Sequence, residues 1–218
     1  MYIPGYLYVE LISLLASFNL FFRKDTPLFL KLFTPYLLLT LAFEITSWQL
    51  NMNEKSAESA ALMFPSSAFE IEFYIFTLYN IIQTPRIRRV VLWIVFLYPV
   101  LAVFNIYYLQ AGAFPSNSYL LGCILIVTIC IYYFYELFHL PGIGNLLQEP
   151  AFWVCTALLF FYICSLPFFG LYNLMYKVSP GIMENISVIL TVMNVFLYTI
   201  FTAAFLCVVR IPRLLSRS

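Results

Sequence analysis

The sequence predicts an all-α, polytopic membrane protein, a bundle of seven transmembrane helices, and three observations predict it. Of the 218 residues, 63% are apolar and only 10% are charged, whereas soluble domains average about 25% charged residues. Seven apolar runs are each roughly 20 residues long, the length at which an α-helix crosses a bilayer. If these runs cross a membrane one after another, nine of the eleven Lys and Arg residues lie on the same face of it.

The seven runs follow one another with short connections. The longest connection runs from Asn51 to Phe64, and Pro65, Ser66 and Ser67 after it are typical of a helix start. Because the spans use most of the chain, we expect a single domain, residues 1–218, without a separate catalytic domain. In chain order the predicted spans cover about residues 2–22, 31–50, 64–83, 90–109, 118–138, 151–174 and 182–209.

Prolines stand at two kinds of position. Pro35, Pro99 and Pro167 lie inside the second, fourth and sixth spans, where each removes a backbone hydrogen bond and is expected to kink its helix. Four more follow the basic ends of the remaining spans, where a helix stops. These are Pro27, Pro85, Pro141 and Pro212.

The basic residues predict the orientation of the bundle. The side poor in them holds Lys55 and Lys177. Cytoplasmic loops are enriched in Lys and Arg, so we expect a cytoplasmic C-terminus and, with seven spans, an external N-terminus. Five of the arginines form a predicted basic rim that contacts anionic headgroups: Arg86, Arg88, Arg89, Arg210 and Arg213. The remaining residues of the basic side are Arg23, Lys24, Lys31 and Arg217.

Acidic residues inside the spans are the main functional signal, because a charge in the hydrocarbon core is costly and usually functional. Glu10 and Glu44 lie about 12 Å from the outer ends of their helices, and Glu70 and Glu72 lie nearer the surface. No Lys or Arg lies in the middle of any span. Glu70 and Glu72 point about 200° apart on a helix, so both cannot face one cavity.

Two interpretations of these acids remain open. One is an outward-facing pocket for an amine, a cation or a proton. The other is a set of structural carboxyls satisfied by hydrogen bonds. For the pocket we expect ligand-binding roles for three glutamates and two asparagines. Tyr162 and Trp153 are candidate hydrogen-bond partners of the asparagines. The predicted ligand-binding residues are Glu10, Glu44, Glu70, Asn105 and Asn194.

Several activities are excluded by absent residues. A retinal Schiff base needs a lysine at depth, and the sixth and seventh spans have none. His139 is the only histidine, which excludes bis-histidine haem ligation and a multi-histidine zinc site. Asp25, the only aspartate, lies in a connection. We therefore expect no enzyme, no catalytic residue, no metal and no cofactor. A net charge of +1 also argues against nucleic acid as a partner.

The chain resembles a group of uncharacterised bacterial membrane proteins with seven helices. The resemblance runs essentially end to end, and the glutamates of the second and third spans also match. Members of that group are often encoded beside sensor kinases, which implies a signalling role and a place in a bacterial inner membrane. The stretches that carry the resemblance are residues 132–137 (YYFYEL), 149–153 (EPAFW), 158–162 (LLFFY), 194–198 (NVFLY) and 205–207 (FLC).

The leading functional hypothesis is a receptor-like membrane sensor. It would bind a small-molecule or lipid ligand in its outer half and signal through a separate partner, such as a sensor kinase. The lipid bilayer is the other expected partner. One alternative is a small-solute or proton-coupled carrier that uses the buried glutamates. Another is a structural subunit of a membrane complex.

Overall fold

The chain folds into α-helices joined by short connections. The computed structural model describes residues 4–23, 26–139, 146–170 and 180–215, with the side chains of the last range described over 186–208 only. A π-helical turn, Asn105–Leu109, continues the fourth helix, and a 3-10 turn, Leu146–Gln148, precedes the sixth. The predicted all-α class is confirmed for this part of the chain. Its helices are α1 (Gly5–Phe21), α2 (Leu28–Met52), α3 (Ser56–Ile81), α4 (Pro85–Phe104), α5 (Ser116–His139), α6 (Pro150–Gly170) and α7 (Pro180–Leu215).

Five of these helices are long and apolar enough to cross a membrane. They are α2, α4 with its π-helical turn, α5, α6 and the Ile186–Val208 part of α7. Helix α1 is shorter, at 17 residues. Helix α3 carries Glu58, Glu70 and Glu72 and is not among the five. The fold is therefore compatible with an integral, multi-pass membrane protein in which five of the seven predicted spans have the required length and composition.

Six helices form a closed ring, and α4 lies outside it. Around the ring, α1 packs on α2, α2 on α3, α3 on α5, α5 on α6, α6 on α7, and α7 back on α1. Helix α4 packs mainly on α3 and to a lesser extent on α5. Most of its surface is exposed, with Trp93 and Phe96 among the exposed side chains. In a bilayer, this helix presents the broadest apolar surface to lipid.

The third helix begins earlier than the sequence predicts. Residues 56–63, assigned to a connection, form the first two turns of α3, so Pro65 lies inside the helix and not at its start. The segment is rich in Ala, Leu, Met and Glu, which favour helix. The hydroxyls of Ser47 and Ser59 hydrogen-bond at 2.7 Å and join α2 to this added part of α3. The connection between the two helices is thereby reduced to residues 53–55.

Five of the other prolines lie where the sequence places them. Pro35, Pro99 and Pro167 are inside α2, α4 and α6. Pro27 is the residue before α2, and Pro85 is the first residue of α4. Pro212 is within α7, not after its end. Pro141 lies outside the described residues, as do Lys24, Asp25, Lys177 and Arg217.

The basic end of the bundle is where α1, α3 and α5 end and α2, α4 and α6 begin. Here Arg23 donates a hydrogen bond from Nη1 to the carbonyl of Val208 on α7, at 3.2 Å. Arg86, Arg88 and Arg89 are exposed on the first turn of α4. The predicted basic rim is thus partly described, since the side chains of Arg210 and Arg213 lie outside the described residues.

Candidate functional site

The carboxyl groups of Glu10 on α1 and Glu44 on α2 meet inside the ring. They lie within hydrogen-bonding reach of each other, and Glu10 is fully buried. The Thr40 hydroxyl lies 2.9 Å from Glu10 Oε1 and is placed to donate to it. Thr40 is one helical turn before Glu44, so α2 presents the threonine and the glutamate on the same face. We call Glu10 and Glu44 the acid pair.

One oxygen of each carboxyl in the acid pair has no hydrogen-bond donor. Oε2 of Glu10 and Oε2 of Glu44 are both buried and receive no hydrogen bond from any described group. Tyr6 on α1 is within hydrogen-bonding reach of Glu44, and Tyr198 on α7 is within reach of Glu10. Since buried polar atoms are normally paired, each of these two free oxygens needs a proton, a cation or a water molecule as its partner.

Glu70 on α3 belongs to the same site. It accepts a hydrogen bond from the Tyr162 hydroxyl on α6, with an oxygen to oxygen distance of 3.2 Å. A cavity of about 50 Å³ separates Glu70 from Glu44, and Thr40, Ser66 and Ser67 also line it. Since a water molecule in the liquid occupies about 30 Å³, the cavity has room for one or two waters and not for an organic ligand.

No basic side chain accompanies these acids in the described part of the chain. The one ion pair found there joins Lys55 to the exposed Glu58, outside the cluster. Nor do three or more His, Cys, Asp or Glu side chains come together there in an arrangement that could hold a metal ion. Among the described residues, the acid pair therefore has neither a basic partner nor a metal-binding cluster beside it.

Aromatic side chains close the ring on the basic side of the cluster. The Tyr36 hydroxyl donates to the Tyr74 hydroxyl at 3.0 Å. One turn beyond them, the rings of Phe33, Phe201 and Phe205 are fully buried. The ring of Phe33 contacts those of Phe201 and Phe205 edge to face, with centroid distances of 5.0 and 5.4 Å. Aromatic rings therefore fill the interior next to the acid pair on its basic side.

The other predicted site residues lie elsewhere. Glu72 points away from the cavity and has one buried oxygen without a partner. Asn105 begins the π-helical turn and donates to Gln110 Oε1 and to the Ser118 hydroxyl, at 2.9 and 3.0 Å. Those bonds fix the α4–α5 turn and do not reach the glutamates. Asn194 is half-buried on α7. Among the described residues, its side chain forms no hydrogen bond with the glutamates.

The sequence predicts the three acids of this site, Glu10, Glu44 and Glu70. It does not predict Thr40, Tyr6 and Tyr198 as their neighbours. Of these, Thr40 carries a signal that could have been read, since it stands four residues before Glu44. Tyr162, a candidate partner of the asparagines, instead donates to Glu70. Trp153 instead donates to the Leu147 carbonyl at 2.9 Å, near the basic end.

An apolar cleft of about 420 Å³ lies at the opposite end of the bundle from the basic residues. Small side chains of α3, such as Ala57, Ala60 and Ala61, form one wall, and Ile106 and Tyr107 of the π-helical turn form another. This cleft has the size and character for a lipid chain. It is separate from the acid pair.

Comparisons with protein-family models, with curated proteins and with solved structures gave no match.

Proposed function

We propose that the protein is a multi-pass membrane sensor that holds one proton between Glu10 and Glu44 and passes the resulting change in helix packing to a separate protein. The observation that carries this proposal is the contact between two buried carboxyls whose Oε2 atoms have no donor. Two carboxylates about 4 Å apart repel by about 4 kcal/mol even at an effective dielectric constant of 20. One shared proton removes that repulsion and supplies the missing hydrogen bond.

The size of the cavity favours a proton over a larger ligand. A cavity of about 50 Å³ next to Glu44 and Glu70 suits water that delivers or removes a proton. It does not suit the organic ligand considered from the sequence. The groups facing the pair from each neighbouring helix are Tyr6 and Thr40, Glu70 from α3, and Tyr198 from α7. Of these, Glu70 is the one acid, and the tyrosines and the threonine are uncharged at neutral pH.

A sensor fits the interior better than a carrier does. Transport needs a polar path from one face of the membrane to the other, and Phe33, Phe201 and Phe205 fill the ring beyond the acid pair. We propose that the half with the acid pair faces outward, with the N-terminus external and the C-terminus in the cytoplasm of a bacterial cell. The protein would then act without enzymatic activity of its own, through a partner such as a sensor kinase.

The test uses the full chain in liposomes and follows the fluorescence of Trp48. Its indole lies one helical turn from Glu44, and Nε1 is buried without a partner. Trp93 and Trp153 are replaced by Phe so that Trp48 alone reports. We expect a pH-dependent transition that Glu10→Gln and Glu44→Gln abolish. The matched control is Glu72→Gln, a partly buried acid outside the cluster, which should keep the transition.

A pH-sensitive dye trapped inside the same liposomes separates the two leading functions. A sensor gives the fluorescence transition without proton flux. Flux that depends on Glu10 and Glu44 would support the carrier instead. A transition that survives in both Glu10→Gln and Glu44→Gln would refute the acid pair as the site, whatever the flux.

A further inference from the structure

A groove lies at the basic end of the bundle, and neither residue of the acid pair lines it. It has a volume of about 510 Å³ and opens between the start of α2, the end of α3, the start of α4 and the start of α6. Phe29, Ile82 and Pro150 supply apolar parts of its lining. The volume falls within the range of about 300–1,000 Å³ that is typical of small-molecule sites.

Two opposite charges line this groove without neutralising each other. Arg88 contributes a guanidinium from the first turn of α4, and Glu149 contributes a carboxylate from the residue before α6. They form no ion pair with each other or with another side chain in the described ranges. The guanidinium of Arg88 lies over the ring of Tyr79, 4.7 Å from its centroid. This cation–π contact holds the positive charge at the groove.

The turn between α3 and α4 forms one wall of the groove, and hydrogen bonds to α5 fix its position. The carboxylate of Glu136 on α5 accepts hydrogen bonds from the backbone N–H groups of Gln83 and Thr84 and from the Thr84 hydroxyl. Gln83 itself lines the groove. The position of Arg88, one turn into α4, is therefore set by the packing of α3, α4 and α5, so the groove is a built feature of the bundle.

The groove lies at the level where a bilayer has its headgroups. It is formed where apolar helices end, and the exposed side chains of α4 change there from the arginines Arg86 and Arg89 to Trp93 and Phe96. A ligand that reaches this position from the membrane has its polar part at the groove and its chains along the apolar helices.

We propose that the groove binds the headgroup of a zwitterionic phospholipid whose amine is primary, with its phosphate at Arg88 and its ammonium at Glu149. Guanidinium groups bind phosphate through paired, charge-assisted hydrogen bonds. A primary ammonium donates three N–H groups to a carboxylate, whereas a trimethylammonium donates none. An anionic headgroup without an amine would meet Glu149 as a like charge.

The experiment measures lipid binding to the full chain by native mass spectrometry. The probes are phosphatidylethanolamine, phosphatidylcholine and phosphatidylglycerol with identical acyl chains, each added to the delipidated protein in detergent. We expect the ethanolamine lipid to bind best. Glu149→Gln should lower its preference over the choline lipid by about two- to fivefold, the range that an exposed ion pair gives. Arg88→Gln should weaken all three lipids.

Arg86→Gln is the matched control, since Arg86 is on the same helical turn but does not line the groove. It should leave the ethanolamine preference unchanged. Equal binding of the three lipids by the unmodified protein would overturn the proposal. The proposal would also be overturned if the Arg88→Gln and Glu149→Gln variants bound the three lipids with the same preference as the Arg86→Gln variant. Tightest binding of the glycerol lipid would indicate a site for anionic headgroups and would also overturn it.

Discussion

Glu136 holds the residue that precedes α4, because one of its carboxylate oxygens accepts hydrogen bonds from both the backbone N–H and the hydroxyl of Thr84. Its other oxygen accepts from the N–H of Gln83 at 3.1 Å. A carboxylate on α5 therefore satisfies donors that the end of α3 and the start of α4 leave without helical partners. The buried charge of Glu136, near the basic end, is used to join three helices.

Glu136→Gln should destabilise the protein by about 2 kcal/mol, since hydrogen bonds to charged groups contribute about 1.5–3 kcal/mol. The amide keeps one acceptor for Thr84 but turns an NH₂ group toward the N–H of Gln83, where a donor faces a donor. Thermal unfolding in detergent measures the loss. Glu58→Gln is the control, because its ion pair with Lys55 is more than half exposed and contributes at most about 1 kcal/mol. Equal losses in the two variants would contradict the assigned role of Glu136.

The sequence predicted which acids share one half of the bundle but not which of them touch. Counting residues from the helix ends gives depth, and depth put Glu10 and Glu44 at the same level, where they do meet. Rotation about each helix axis depends on packing that one sequence does not reveal. For that reason Asn105, grouped with the acids by its polarity, belongs to a separate network with Gln110 and Ser118.

Two features of the fold were beyond prediction for similar reasons. The position of α4 outside the ring depends on helix pairing, which the largely apolar sequence of the fourth span does not reveal. The early start of α3 was missed because the polar residues near Glu58 resemble a connection. Their helical state is stabilised by tertiary contacts such as that between Ser47 and Ser59.

Glu44→Gln should change how stability depends on pH. In the unmodified protein, raising the pH removes the proton proposed to lie between Glu10 and Glu44, leaves two adjacent carboxylates, and so lowers stability. In the variant, the amide N–H donates to Glu10 at every pH, so the decline should be smaller. The measurement is the melting temperature in detergent from about pH 5 to about pH 9. Equal declines in the two proteins would contradict the shared proton.

The hydroxyls of Tyr36 and Tyr74 should show coupled energetics. Both side chains are buried, and the hydrogen bond between them is 3.0 Å long. Tyr74→Phe leaves the Tyr36 hydroxyl without this acceptor and should cost about 1–3 kcal/mol, and Tyr36→Phe should cost about 1 kcal/mol. The double variant leaves no orphaned hydroxyl, so its loss should be smaller than the sum of the single losses. Strict additivity in a double-mutant cycle would show that the hydroxyls act independently.

Gly122 on α5 lies where side chains of α3 and α4 come close to its backbone. A Cβ atom there would lie 2.6 Å from both Cδ1 and Cγ2 of Ile71 on α3, and 3.1 Å from the hydroxyl of Tyr98 on α4. Ile71 is fully buried and cannot move into solvent. Gly122→Ala should therefore push α3 and α5 apart and cost about 1–3 kcal/mol, the usual cost of overpacking. Gly5→Ala, where nothing lies within 4 Å of the added atom, is the matched control.

A second substitution distinguishes overpacking from any other effect of alanine at Gly122. Ile71→Ala removes both of the atoms that the new Cβ would meet, and by itself it should cost about 2–5 kcal/mol through the cavity that it leaves. Combined with Gly122→Ala, the added methyl group occupies part of that cavity, so the double variant should be more stable than Ile71→Ala alone. The measurement is again the melting temperature in detergent. If Gly122→Ala destabilises both backgrounds equally, the contact with Ile71 is not what requires glycine, and the close approach of α3 to α5 has another cause.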